Sequence, residues 1–123
     1  MSLAISARTE LVREGRRWVT AQAVRCGASP AALATITLLS SELVANAVLH
    51  GPADGAIVVR ARAAGPVFRV EVDDDGHASP RVRHAAPGDA GGRGMFLVDA
   101  RAARWGCYQR SPSGKTVWFE ARM

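Results

Sequence analysis

The run Glu42-Leu43-Val44-Ala45-Asn46-Ala47-Val48-Leu49-His50-Gly51-Pro52 decides how this chain folds. It closes a predicted helix that Ser29 opens as N-cap and Pro30 enters at the first position, where a missing N–H costs nothing. Gly51-Pro52 stops it. About twenty residues lie between, roughly 30 Å of helix. At about 100° per residue, Leu33, Ile36, Leu43, Val44 and Ala47 share one buried arc. Glu42 and Asn46, four apart, stack at the edge of that arc. There they either look into a cleft beside the core or stand as solvated residues at a helix border.

Outward from this helix the pattern changes on both sides. Upstream, a first helix is predicted from about Ala7 to Arg25, with Leu11, Val12, Trp18, Val19 and Ala23 as its apolar stripe and Gly27 as its cap. Downstream, Ala56 to Arg62 and Val67 to Val72 read as two strands of a hairpin, joined by Ala63-Ala64-Gly65-Pro66. Alternation puts Phe68, Val70 and Val72 on one face and Val67, Arg69 and Glu71 on the other. Residues 76–92 form a long loop poor in large apolar groups. A short helix near Met95 to Ala103 follows, then strands near Trp105 to Gln109 and Thr116 to Glu120, turning at Ser111-Pro112-Ser113-Gly114. The order αα-ββ-α-ββ predicts a single α+β domain spanning residues 1–123, a two-layer sandwich.

Composition narrows the function classes. At 48% hydrophobic and 22% charged, the 123 residues are too apolar for disorder and suffice for one core. No unbroken apolar run of membrane-spanning length is evident, so no membrane role is expected. Met1-Ser2-Leu3-Ala4-Ile5 lacks a secretory pattern, which predicts a cytoplasmic protein. Cys26 and Cys107 stand apart and read as reduced, partly buried thiols rather than metal ligands. The net charge is +5, and Lys115 is the one lysine among sixteen basic residues. The arginines are scattered rather than clustered, which argues against nucleic acid as partner. Trp18, Trp105 and Trp118 are expected in the core, and His50 at a helix end where it helps the dipole.

Two further constellations could carry chemistry. Asp73-Asp74-Asp75-Gly76 follows a strand, and three consecutive carboxylates repel unless something positive or hydrogen-bonding meets them. It is a plain turn, or it presents one carboxylate to a base's amino group beside a glycine that permits close approach. Gly91-Gly92-Arg93-Gly94 leads into a helix, where freed N–H groups and the dipole favour phosphate. Alone it could equally be a hinge. The spacing is wrong for a P-loop and for a dinucleotide fingerprint.

Taken in order, Glu42 to Asn46, Asp74-x-Gly76 and Gly92-x-Gly94 resemble the three nucleotide-binding boxes of the GHKL (histidine-kinase-like) ATPase superfamily. Gly114-Lys115-Thr116-Val117-Trp118-Phe119 resembles that family's last strand. Within it, the short length and the run Gly92 to Ala100 look most like the anti-sigma-factor serine kinases. The resemblance implies a Bergerat-type ATP-binding fold, an antiparallel or mixed sheet with helices packed on one face. It implies ATP and Mg²⁺ as ligands, with Asn46 on the metal and Glu42 as the base that takes a serine proton. Asp74 with Gly76 would meet adenine, Thr116 would complete the base pocket, and Gly92, Arg93 and Gly94 would hold phosphates. Residues 78–90 would be an ATP lid, with Arg81, Arg83 and His84 near phosphate. A sigma factor, an anti-anti-sigma protein and a second copy in a homodimer are the implied partners.

Two departures stand out. Ala78 replaces the second glycine of the Asp-x-Gly-x-Gly box, and the early first helix leaves little room for the N-terminal strand common in the family. Two rival functions keep their place: an ATP-holding module that sequesters a partner without phosphorylating it, and a basic nucleic-acid-binding regulator.

Overall fold

A computed structural model describes residues 1–76, 94–110 and 113–123. Strand β1 (Ser2–Ser6) leads through a 3-10 turn at Thr9–Leu11 into helix α1 (Val12–Arg25). Helix α2 (Pro30–His50), strands β2 (Ala56–Ala64) and β3 (Val67–Asp74), helix α3 (Gly94–Arg101) and strands β4 (Arg104–Gln109) and β5 (Lys115–Arg122) follow. The strands make one antiparallel sheet in the order β1-β2-β3-β5-β4, with the helices on one side. The predicted α+β sandwich is the observed one.

Local chemistry explains the helix ends. In α1, Gly27 adopts φ +84°, and Gly27 and Ala28 donate backbone bonds to Val24 and Ala23, a Schellman closure that only a left-handed residue permits. Two residues on, Ser29 Oγ accepts from the Ala32 N–H at 3.1 Å and Pro30 begins α2. At its far end the Gly51 N–H bonds the Ala47 carbonyl and the chain turns extended.

The core lies between α1, α2 and α3 and the inner sheet face. Ile57, Val59 and Ala61 of β2, Phe68, Val70 and Val72 of β3, and Val117, Phe119 and Ala121 of β5 all point inward. They meet Val19 and Ala23 of α1, Ile36, Leu39, Leu43, Val44 and Ala47 of α2, and Met95 and Val98 of α3. A hydroxyl pair, Thr20 and Thr37, joins α1 to α2 at 2.8 Å.

Several expectations are corrected. A strand precedes the first helix: Ser2 to Ser6 pair in register with Arg60 to Ala56, so β2 has a partner on both sides. Five residues with only Ile5 buried carry too little alternation to stand out by themselves. Helix α2, with a mean hydropathy of 1.6 over its best window, is long and apolar enough to cross a membrane by composition, against the expectation of no such stretch. Its apolarity has a local explanation, because α1, α3 and the sheet all pack against it. Cys26 is exposed rather than partly buried. Trp18 and Trp105 pack against the core, but Trp118 lies outside it, since its neighbours Val117 and Phe119 take the inward positions of β5.

Candidate functional site

The end of α2 and the end of β3 meet, and this junction brings His50 and Gly51 against the Asp74–Gly76 turn. Gly76 is packed under α2: a Cβ there would lie 2.9 Å from the His50 carbonyl oxygen and 2.9 Å from Asp74 Oδ1. A Cβ on Gly51 would lie 3.6 Å from Asp74 Cβ. Gly76 therefore keeps side-chain bulk away from the carboxylate, whereas at Gly51 the close neighbour would be the Ala47 carbonyl at 2.7 Å. One turn back along α2, Asn46 Oδ1 is buried without a hydrogen-bond partner among the described residues. A buried amide oxygen left unpaired costs about 1–3 kcal/mol, so something outside the described residues is expected to meet it. A hard cation fits that oxygen.

Glu42, a further turn back, lines a groove of about 420 Å³ between α1 and α2 with Arg16, Thr37 and Ser41. Burial pushes its carboxyl above the ordinary value of 4.5, which strengthens its hold on a proton. Such a shift suits a group that accepts one.

Strand alternation resolves the three consecutive aspartates by sending them to different places. Asp73 faces the outer side of the sheet, where Arg60 binds it through two guanidinium nitrogens and the Thr116 hydroxyl donates to Oδ1 at 2.6 Å. Asp74 faces inward, where its Oδ1 accepts from the Gly76 N–H at 2.6 Å and from Lys115 Nζ at 3.2 Å. Asp75 stands 3.6 Å from Arg110, whose guanidinium also donates to the Asp74 carbonyl at 2.7 Å.

Thr116, expected to complete the base pocket, does not share a face with Asp74. In the β3–β5 register Asp73 opposes Thr116 and Asp74 opposes Lys115, so Lys115 takes the place beside the carboxylate. Lys115 is fully buried. On the neighbouring strand, burial pushes the Cys107 thiol up, an effect the Lys115 ammonium partly offsets. Sequence reading missed Lys115, Arg110 and Arg60 as partners of this turn. The only hint was that the single lysine follows the glycine of the last turn.

Gly94 opens α3, the helix predicted to follow the glycine run, and α3 packs on α2. Gly92 and Arg93 lie outside the described residues, as do Ala78, Arg81, Arg83, His84 and the whole proposed lid. Among the described residues no cluster of three or more His, Cys, Asp or Glu could hold a metal. A metal here would instead take few protein ligands, as Mg²⁺ does when phosphates and waters supply the rest.

The family model of the histidine kinase-like ATPase domain matches residues 5–121, nearly the whole chain. The chain belongs to that family. This histidine kinase-like ATPase domain superposes on the structure of the RsbU and RsbW domains of Rv1364c from Mycobacterium tuberculosis with a TM-score of 0.72. Identity there is 26% over 99% of this chain, which spans about a third (32%) of the mycobacterial one. The histidine kinase domain of the Erythrobacter litoralis EL346 blue-light activated histidine kinase matches 91% of this chain and 60% of its own, at 23% identity and a TM-score of 0.56. The mycobacterial sensor histidine kinase MprB matches 98% of this chain and all of its own (100%), at 14% and 0.52. These last two share the fold. Comparison with curated proteins finds no match. The ordered motifs had pointed to this family, and the fold matches it.

Proposed function

We propose that this domain is a cytoplasmic, Mg²⁺-dependent ATP-binding regulator of the anti-sigma type that phosphorylates a serine on a partner protein. The observation that carries the reading is the buried Asn46 Oδ1, without a partner among the described residues, on the helix whose last turn covers Asp74 and Gly76. The RsbW-containing relative supports the regulatory assignment, because nearly all of this chain aligns with it. A sigma factor and an anti-anti-sigma protein are the partners this reading implies.

The roles follow from chemistry. Asn46 would hold Mg²⁺, which when bound would offset the charge of the triphosphate. Asp74 would accept from the base, and Gly92, Arg93 and the start of α3 at Gly94 would hold phosphate through N–H groups and positive charge. Glu42 would take the proton from the attacking serine hydroxyl as its oxygen bonds to the γ-phosphorus and the bond to ADP breaks. The raised proton affinity of Glu42 supports that role. Phosphoryl transfer needs mainly positioning and charge neutralisation, so this set of groups suffices.

Thermal unfolding with and without Mg-ATP tests the reading. At one hundred times its Kd the nucleotide stabilises the fold by about 2.7 kcal/mol. Wild type is expected to show a saturable, Mg²⁺-dependent shift that Asn46→Ala loses. No response from wild type would end the nucleotide reading.

A further inference from the structure

The base end of this site contains an ion pair with hydrogen-bonding capacity left over. Lys115 (0% exposed) places Nζ 3.2 Å from Oδ1 and 3.1 Å from Oδ2 of Asp74 (1% exposed). Oδ1 is filled, because it already accepts from Gly76 N–H and from Nζ. Oδ2 lies against the ammonium at 3.1 Å and is buried, and among the described residues no hydrogen bond to it is made. An ammonium carries three donors, and one of them is spent on Oδ1. A base that reaches this pair would meet an acceptor oxygen beside a fixed donor, with the net charge close to cancelled. Gly76 flanks the carboxylate where a Cβ would crowd it, at 2.9 Å from Oδ1.

A lone carboxylate in such a pocket selects for a base with an amino group at the purine 6-position. It repels a 6-oxo oxygen, because two acceptors face each other without a proton between them. A buried ammonium bound to that carboxylate removes the repulsion and supplies a donor for the oxo group. The free carboxylate oxygen can then accept from the N1–H that a 6-oxopurine carries. We propose that Lys115 sets the base specificity of this site, so that with Asp74 it admits 6-oxopurine nucleotides, guanine and hypoxanthine, as well as adenine. This rests on the reading of the site as a nucleoside-triphosphate pocket.

Isothermal titration of the full chain, with Mg²⁺ and the β,γ-imido analogues of ATP, GTP and ITP, tests it. Wild type is expected to bind the three within about tenfold of one another. Lys115→Thr, which keeps a donor but removes the charge, is expected to weaken the GTP and ITP analogues by about 10- to 100-fold while the ATP analogue holds. Lys115→Arg is expected to retain all three. Wild-type binding of the ATP analogue with exclusion of the other two overturns this inference and leaves the nucleotide reading intact. Equal weakening of all three in Lys115→Thr also overturns it, by marking the pair as purely structural. Binding of none by wild type removes the nucleotide reading and this inference with it. Should Lys115→Thr show no cooperative unfolding, the wild-type series and Lys115→Arg still decide.

Discussion

The Trp118 indole lies so close over Gly106 that a Cβ on the glycine would sit 2.9 Å from its Nε1 and Cζ2. The two residues oppose each other across β5 and β4 on the outer face of the sheet. Arg69 stacks on the indole at 3.9 Å from the ring centroid, and Arg104 stands at 5.7 Å. The ring is thus held between a backbone without a side chain and a guanidinium that Glu71 and Glu120 anchor. Gly106→Ala is expected to destabilise the fold by about 1–3 kcal/mol, read as a lower urea midpoint with unchanged slope.

A second glycine faces a harder neighbour. At Gly76 a new methyl would meet the His50 carbonyl, which α2 holds in place, as well as Asp74 Oδ1. Gly76→Ala should therefore cost at least as much stability, about 1–3 kcal/mol, and should also abolish the thermal shift produced by Mg-ATP. Retention of that shift would detach Asp74 and Gly76 from the nucleotide site.

Glu42 supplies a prediction in which stability and activity move in opposite directions. Its folded carboxyl lies above 4.5 through burial, so its contribution to stability is present below 4.5 and is lost as pH rises through the folded value. Glu42→Gln should gain stability relative to wild type as pH rises from 4 toward 8, in paired unfolding series. The same variant should still bind ATP while its rate of serine phosphorylation falls about 10²- to 10⁴-fold, measured by transfer of labelled γ-phosphate.

Acid should act through the outer face. Arg104 bonded to Glu120, with further help from Arg69, holds that carboxyl below its ordinary value of 4.5. Burial alone would raise the Glu71 carboxyl, but hydrogen bonds from Arg69 and Arg60 outweigh it and the net shift is downward. Lowered folded values mean stability that is present above 4.5 and lost as pH falls through the folded values. Glu120→Gln should flatten the acid limb of the stability curve below pH 5, with little change at pH 7 beyond the lost pair.

Much of the architecture was legible because its causes are local. Gly27, Ser29, Pro30 and Gly51 act on backbone groups within a few residues, so the end of α1 and the limits of α2 could be read directly. The period of two in β3 likewise placed Phe68, Val70 and Val72 inward. Order along the chain was enough to suggest the family from Glu42, Asn46, Asp74, Gly76 and the glycines near Gly94.

What the sequence by itself determined, then, was every element except β1, the ends of α2 and the site residues that stand in ordered motifs. Tertiary structure alone decided which of those residues meet. A strand register is chosen among residues far apart in the chain, and a slip of one position exchanges the two faces of a sheet. The register Asp74–Lys115, across 41 positions, sends Thr116 to Asp73 on the outer face and brings the single lysine to the inner carboxylate. The same long-range pairing recruits β1, carries Trp118 out of the core and separates three adjacent aspartates onto three different cations. None of these choices has a local signature, because each is settled by packing the whole sheet against α2.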